Sequence, residues 1–195
     1  RGVLAGLAGA PEVVVERVWA ETLDALAAGR LRSPEEALAR GHRWRSGGFP
    51  VVEVLVGPSG SGKSTFTEGR RGARVVSLDA LREEGGDRAD QSRNAEVLAE
   101  ARRRWEVALR DGAGHLVWDA TSLTRLQRDL PVGLARRHDA LVRFVCLVAR
   151  EETLFARNRS RRHPVPEGVL ATQLGKLTWP YAHEAHRVIW MPLVE

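Results

Sequence analysis

The stretch "VLVGPSGSGKSTF", residues 54 to 66, runs from apolar side chains into a glycine-rich loop. Within it, Gly57, Gly62, Lys63 and Ser64 match the pattern G-x-x-x-x-G-K-[ST]. The glycines let backbone N–H groups turn inward, Lys63 adds a positive charge, and Ser64 offers a hydroxyl to Mg²⁺. The helix that follows points its positive end at the same place. The stretch therefore predicts a loop that binds the phosphates of a nucleotide.

The predicted nucleotide-binding residues belong to this loop and to the first turn after it. They are Gly57, Ser59, Gly60, Ser61, Gly62, Lys63, Ser64 and Thr65. The chain has no N-K-x-D guanine motif, which argues against a GTPase. Such a loop does not name a reaction, since kinases, motors, GTPases and regulators share it. The small domain argues against a motor, so a compact kinase is the leading hypothesis.

Five apolar runs alternate with helical patterns after Pro50. The runs cover residues 51–56, 73–78, 115–120, 140–149 and 187–191, and the clearest helical patterns cover 92–110 and 124–137. Strands that are apolar along their whole length are typical of a parallel sheet covered on both faces. The sequence predicts an α/β P-loop kinase fold, a doubly wound parallel sheet of about five strands flanked by helices. Trp118 and Trp190 lie in these strands and are expected in the core.

Residues 1–45 are predicted to form a short helical extension, and residues 46–195 the kinase domain. One helix is expected over 12–28, with Val18 and Leu26 near one face. A second begins after Ser33, where Glu36 is expected to complete a capping box. The extension matches no pattern of its own, and it could be a simple flank or the end of a preceding domain.

Composition sets wider bounds. The 195 residues suit one domain with a short appendage. The net charge is +5 and is carried almost wholly by arginine, which is compatible with a polyanionic partner. No run of 18 apolar residues occurs, so no membrane span is expected. The single cysteine, Cys146, lies in an apolar run and is expected to be a buried thiol, which fits a reducing cytoplasm.

Candidate acceptor chemistry follows the second and third strands, where ligands of open α/β sheets bind. Asp79, in "SLDALR", is placed to take the proton of an attacking hydroxyl, although it could equally cap the next helix. Arg82 lies three residues on, at a spacing that puts it on the same helical face. Asp119 ends the apolar run "LVWD" and is a candidate Mg²⁺ ligand together with Ser64. The alternative reading of this strand end is a cap at Thr121 or Ser122.

A basic segment, "FARNRSRRHPVPEGVL", follows the fourth strand. If it is helical, Arg157 and Arg161 lie four apart on one face and can close over a triphosphate as a lid. A solvated basic face is the alternative. His183 and His186 also share a helical spacing, but two ligands do not make a zinc site, and packing roles are expected.

The order of these motifs resembles the polynucleotide 5′-kinase family, the phage and bacterial end-healing kinases that phosphorylate 5′-hydroxyl ends of RNA or DNA. The resemblance covers residues 51 to 191 and is most specific in "SLDALR" and "ARNRSRRHPVP". It implies that Lys63 serves ATP and that Asp79 is the general base. It also implies that Arg82 grips the phosphodiester beside the acceptor hydroxyl.

The same resemblance implies that Arg157 and Arg161 contact the ATP phosphates and that Gln91 and Arg93 line the acceptor groove. Two features depart from the family. Ser122 stands where some relatives have Asn after D-A-T, and the D-x-D-x-T motif of a fused 3′-phosphatase is absent.

The sequence thus predicts an ATP- and Mg²⁺-dependent polynucleotide 5′-OH kinase acting on RNA or DNA ends. Fusion to other repair domains, or action with them, is compatible with this prediction. The catalytic residues of the kinase would be Lys63, Asp79, Arg82, Arg157 and Arg161. A kinase of a sugar, nucleoside or antibiotic, and a noncatalytic ATP-binding regulator, are the alternatives.

Overall fold

Five parallel strands form one sheet in the computed structural model, which describes residues 6–86, 92–161 and 163–193. The strands are β1 (Val51–Val56), β2 (Arg74–Ser77), β3 (His115–Asp119), β4 (Leu141–Val148) and β5 (Arg187–Pro192). Their spatial order is β2-β3-β1-β4-β5, so β1 lies in the centre and pairs with β3 and β4. The predicted doubly wound parallel sheet is confirmed, and each predicted strand overlaps an observed one.

Eight α-helices occur in the described part of the chain. They are α1 (Glu12–Ala27), α2 (Pro34–Gly41), α3 (Lys63–Glu68), α4 (Leu78–Glu84), α5 (Asn94–Arg110), α6 (Arg125–Arg137), α7 (Glu151–Arg159) and α8 (Glu167–Lys176). Ser33 caps α2 by accepting from the Glu36 N–H at 3.3 Å. The Glu36 carboxylate bonds the N–H of Arg32 at 2.8 Å, one residue before the one that a standard capping box would use.

Alternating side chains of β1 enter two separate apolar layers. Val54 and Val56 face a layer that α4, α5 and α6 cover, where Trp105 and Trp118 make an edge-to-face contact with ring centroids 5.1 Å apart. Leu55 faces the second layer, with Phe66 of α3 packed against it. The layers bury the central strands on both sides, which explains their continuous apolar sequence.

Cys146 is fully buried in the first layer, as expected from its apolar run. Burial raises the pKa of its thiol to about 12. The cysteine therefore stays protonated at neutral pH and serves as a packing residue.

The helical extension packs against the end of the sheet where the strands begin. Val14 and Val18 of α1 form an apolar cluster with Trp44, Phe49 and Leu141. The contacts join the extension to the residues just before β1 and to the first residue of β4. The predicted helix is present. Of the two residues expected near one face, Val18 is buried, whereas Leu26 is 59% exposed.

Buried Arg17 is the centre of this contact. Its guanidinium stacks over the Trp44 ring, 3.7 Å from the centroid, and its Nε donates to Glu21 at 3.0 Å. It also donates to the carbonyl of Asp139, just before β4. Burial lowers the pKa of Arg17, and the ion pair with Glu21 opposes that effect.

His186 ties the residues before β5 to β4. Its Nδ1 accepts a hydrogen bond from the Val142 N–H at 2.9 Å, which requires a neutral ring. Burial, together with the smaller effect of nearby Arg17, lowers the pKa of His186 to about 4. The expected packing role of this histidine agrees with the contact.

The core prediction holds for one tryptophan and fails for the other. Trp118 is 1% exposed, whereas Trp190 is 51% exposed. Trp190 lies on β5, which pairs with β4 on one side and forms an edge of the sheet. Within the residues that the structure describes, no helix has the length and apolar character needed to cross a membrane.

Candidate active site

The loop between β1 and α3 leaves the carboxyl end of the central strand. Gly60 and Gly62 adopt left-handed backbone conformations, with φ of 84° and 91°. A Cβ at Gly60 would lie 2.8 Å from the carbonyl oxygen of Leu154, and one at Gly57 would lie 2.6 Å from the hydroxyl of Ser61. Both the conformation and the close approach demand glycine. The loop is therefore a tight backbone cradle of the kind that phosphates enter.

Lys63 begins α3 and folds back over the loop. Its Nζ donates to the carbonyls of Gly57 at 2.9 Å and of Pro58 at 2.8 Å. The ammonium group is thereby held at the mouth of the cradle. Ser64 and Thr65, next on the helix, are exposed. This donor set fits the phosphates of ATP.

The segment after β3 lies directly against the loop, because the Gly57 N–H donates to the Thr121 carbonyl at 2.9 Å. Asp119, the last residue of β3, is half-buried beside it. With the Ser64 hydroxyl it offers oxygen ligands of the kind that Mg²⁺ takes together with phosphate oxygens and water. Among the described residues, no group of three or more His, Cys, Asp or Glu side chains forms a metal cluster.

Ser122 adopts an unusual backbone conformation in this segment. Its φ is 46°, a left-handed value that Asn tolerates better than Ser. Arg128 of α6 holds the turn by donating to the carbonyls of Ser122 and Leu123, and it forms a buried ion pair with Glu184 at 2.9 Å. Thr124 caps α6, so neither Thr121 nor Ser122 does.

Asp79 and Arg82 are in contact on α4. Arg82 Nη1 donates to Asp79 Oδ1 at 2.8 Å. The Arg82 side chain is 18% exposed and the Asp79 side chain 49% exposed. Ser77 caps the helix by accepting from the Ala80 N–H, so Asp79 lies in the first turn with its carboxylate directed to Arg82. Asn94, the first residue of α5, accepts from Arg82 Nε at 3.3 Å and from Nη2 at 3.0 Å. Asn94 therefore fixes the orientation of the guanidinium.

A cavity of about 250 Å³ lies beside this group, between α4 and α5. Arg82 and Arg93 line it, as do Glu84, Glu96 and Glu100. Arg93 already donates to the Gly85 carbonyl at 2.6 Å and to Glu96 at 2.8 Å. Gln91, the other residue expected in the acceptor groove, lies outside the described residues.

The lid prediction is partly wrong in its local structure. α7 ends at Arg159, so Arg157 is helical while Arg161 lies beyond the C-terminal cap, and the two do not share a helical face. Arg157 does lie against the loop: its Nη1 is 3.8 Å from the position that a Cβ of Gly62 would take. The helix ends because buried Asn158 bonds both the N–H and the carbonyl of Val165, at 3.1 and 2.7 Å, which turns the chain towards α8.

Sequence reasoning missed three polar residues that support the site. Asn94 orients Arg82, Asn158 shapes the segment that carries Arg161, and Gln173 of α8 accepts from the N–H of Ser59 in the loop at 2.8 Å. Two hydroxyls, of Ser61 and Ser122, are buried without a hydrogen-bond partner among the described residues. The hydrogen bonds of Asn94, Asn158 and Gln173 form between residues that are separated in sequence, so no local sequence pattern predicts them.

Comparison with known families gives one family match. The family model AAA_33, described as an AAA domain, matches residues 52–180. The matched part contains the loop, Asp79, Arg82, Asp119 and the segment with both candidate arginines. No curated protein sequence matches the chain significantly.

Solved structures share the fold at low identity. A sugar kinase from a Janibacter species has a TM-score of 0.57 at 22% identity, with 73% of this chain and 85% of that chain covered. A gluconokinase from Sinorhizobium meliloti has a TM-score of 0.54 at 23% identity, with 75% and 85% covered. A chain of the Pnkp1/Rnl/Hen1 RNA repair complex has a TM-score of 0.57 at 19% identity, with 66% and 44% covered.

Similarity to solved structures at identities below 25% establishes the fold alone. It does not identify the molecule that accepts a phosphoryl group. The family match covers well over half of the chain, and the sheet, the loop and the related structures agree. The chain belongs to the AAA_33 family of AAA domains, and its fold is that of a P-loop kinase.

Proposed function

We propose that this protein transfers the γ-phosphoryl group of ATP to the 5′-hydroxyl end of RNA or DNA. The observation that carries the proposal is the contact of Asp79 with Arg82 just after β2, at the same carboxyl edge of the parallel sheet as the phosphate loop. A carboxylate there suits an acceptor hydroxyl, and a guanidinium beside it suits a phosphate next to that hydroxyl. A 5′-terminal nucleotide of a polynucleotide offers both groups.

On the nucleotide side, Lys63 and the loop amides would bind the phosphates, and Ser64 and Asp119 would hold Mg²⁺. The metal, when bound, supplies positive charge to the phosphate oxygens. Arg157, against Gly62, adds a second positive group where charge develops during transfer. Arg161 follows on the same segment and is proposed to approach the phosphates with it.

On the acceptor side, Asp79 would take the proton as the hydroxyl oxygen attacks the γ-phosphorus. The new P–O bond forms while the bond to the leaving ADP oxygen breaks. Arg82 must leave or share its contact with Asp79 when the acceptor arrives, and Asn94 keeps its guanidinium in place during that exchange. Catalysis would then depend on positioning and charge neutralisation.

A small-molecule acceptor is the second candidate, and the cavity between α4 and α5 favours it. Its volume of about 250 Å³ suits a compact ligand, and its glutamates disfavour a polyanion. Each of Glu84 and Glu100 is paired with Arg104, at 2.5 and 2.8 Å, so their charge is partly neutralised. For this reason we place the polynucleotide first and the sugar or nucleoside second.

The test is transfer of labelled γ-phosphate from ATP to matched 5′-OH RNA and DNA 20-mers, with EDTA as the control. Label that appears on either oligonucleotide and is lost with EDTA supports the proposal, and the ratio identifies the preferred acceptor. Label on a sugar or nucleoside alone supports the second candidate. ATP binding without transfer to any acceptor supports a noncatalytic regulator.

Asp79→Asn should lower transfer by about 10²- to 10³-fold and leave ATP affinity near the wild-type value, because Asn still accepts from Arg82 but is no base. Glu83→Gln, on the same helix, is the matched control and should retain activity. Retained turnover in Asp79→Asn would remove Asp79 from the role of base. We further propose that the protein acts in the cytoplasm, alongside other nucleic acid repair domains.

A further inference from the structure

Gln173 of α8 contacts the phosphate loop although 114 residues separate it from Ser59 in sequence. The Ser59 N–H donates to its side-chain oxygen at 2.8 Å. Only the oxygen of the amide can accept, so the chemistry fixes which way the group faces. Among the described hydrogen bonds, Lys63 donates to the carbonyl of the same Pro58–Ser59 peptide and to that of Gly57, and the Gly57 N–H donates to Thr121, so Gln173 holds the N–H side of this peptide.

The chain segment that carries Gln173 also meets the loop at other points. α7 packs directly against the phosphate loop, since a Cβ at Gly60 would lie 2.8 Å from the Leu154 carbonyl oxygen. Arg157 lies by Gly62. Asn158 then fixes the turn between α7 and α8 through its two bonds to Val165. The loop and the α7–α8 segment therefore form a continuous set of contacts.

We infer that Gln173 is a positioning residue for the phosphate loop: it holds the Ser59 peptide so that the loop stays in its phosphate-binding shape before a nucleotide arrives. Without an acceptor at this point, the Pro58–Ser59 peptide keeps the described bonds to its carbonyl, from Lys63 Nζ at 2.8 Å and the Ser61 N–H at 3.3 Å, but its N–H loses the side chain that orients it. The peptide is then less firmly held. Phosphate binding then has to restore the loop, which lowers affinity. The residue acts through the loop and needs no contact with the reacting atoms.

The test begins with the full chain in the absence of nucleotide. Amide hydrogen exchange at Ser59, followed by NMR, is compared in the wild type, Gln173→Met, Gln173→Glu and Thr172→Ala. We expect exchange at Ser59 about tenfold or more faster in Gln173→Met, because a lost hydrogen bond exposes its amide to solvent. Glu keeps an oxygen at the same place, so Gln173→Glu should retain protection. Thr172 is exposed and bonds only the Gly168 carbonyl at 2.8 Å among the described residues, so its variant is the control.

The second measurement is ATP affinity by calorimetry and, with saturating ATP, the rate of transfer. Gln173→Met should bind ATP about five- to tenfold more weakly. Its kcat should stay within about twofold of the wild type, since the loop is restored once ATP is bound. A variant that had merely lost stability would show lower Tm with unchanged Ser59 exchange relative to its neighbours.

Equal Ser59 exchange in Gln173→Met and the wild type would overturn the inference, and so would faster exchange with unaltered ATP affinity. The affinity measurement rests on the nucleotide half of the proposed function. The exchange measurement needs neither ATP nor acceptor. A wild type that phosphorylates no oligonucleotide would contradict the proposed acceptor and leave the exchange result standing, so the two failures are distinguishable.

Discussion

The two ends of the sheet are built in opposite ways. At the carboxyl end, two glycines of the loop take left-handed conformations, and the hydroxyls of Ser61 and Ser122 are buried without described partners. At the amino end, α1 and the residues before β1 and β4 interlock around Arg17, whose guanidinium stacks on Trp44 and bonds Glu21. One end leaves polar groups for a ligand, and the other satisfies them within the protein.

This difference teaches where substitutions should act. Polar groups that the fold leaves unpaired contribute little to stability, so changing them should affect activity. Polar groups that the fold pairs and buries are costly to disrupt, so changing them should affect stability. Each experiment below tests whether the two ends can be altered independently.

Lys63→Ala should give the largest effect at the carboxyl end. We expect transfer to fall by about 10³-fold and ATP binding to weaken, because the loop loses its positive charge. The free energy of unfolding should fall by only about 1 kcal/mol, through loss of the bonds to the Gly57 and Pro58 carbonyls. Lys176 is the other lysine of the chain and lies at the exposed end of α8, so Lys176→Ala is the control. A large stability loss in Lys63→Ala would contradict the separation of the two ends.

Arg17→Met should give the largest effect at the amino end. It removes the bonds to Glu21 and to the Asp139 carbonyl and the charge over Trp44, and it leaves the half-buried Glu21 without its ion pair to Arg17. We expect a loss of about 2 to 3 kcal/mol in chemical denaturation, with kcat unchanged. Arg43→Met is the matched control, because Arg43 lies 4.1 Å over the same ring but is 64% exposed, and it should cost less than about 1 kcal/mol. Similar losses of unfolding free energy in Arg17→Met and Arg43→Met would contradict the central role of Arg17.

The acid stability of the amino end should depend on His186. Its folded pKa of about 4 is below the usual value of 6.5, so the stabilisation is present above pH 6.5 and is lost as the pH falls towards 4. We expect about 2 kcal/mol to disappear between pH 7 and pH 4.5, as protonation breaks the bond from Val142. His186→Gln should flatten this part of the pH profile, whereas exposed His183→Gln should not. An unchanged profile in His186→Gln would assign the effect elsewhere.

The smallest effects should come from a matched pair of strained residues, one at each end. Ser122 and Asp139 have φ of 46° and 51°, and both conformations suit glycine. Ser122→Gly and Asp139→Gly should each raise the free energy of unfolding by about 0.5 to 1 kcal/mol. The gain is expected because relief of the left-handed strain outweighs the extra chain entropy that Gly brings to the unfolded state. Only Ser122→Gly, in the segment against the loop, should alter kcat. Equal kcat in all three proteins would show that the strain at Ser122 has no part in activity.

The sequence predicted the sheet and the phosphate loop because both depend on local patterns. Apolar runs mark strands buried on two faces, and the spacing from Gly57 to Ser64 reflects backbone geometry within one loop. Trp190 was misplaced because an apolar strand does not reveal whether it is central or at an edge. The edge position leaves its ring 51% exposed.

The acceptor and supporting residues were harder to predict. Asp79 and Arg82 are three apart, so helical spacing brought them together, and their roles remain predictions. Arg161 was assigned to a helix that ends earlier, because the bonds of Asn158 to Val165 cannot be seen in a basic run. Gln173 meets Ser59 only through the tertiary fold.

The buried thiol of Cys146 has a practical consequence for following this protein at work. With one cysteine in the chain, protonated and enclosed, the native protein should give almost no background with maleimide dyes. A cysteine introduced at exposed Ser160, just after α7, would then carry a single fluorophore. Its emission would report in real time whether the arginine-bearing segment moves when ATP binds.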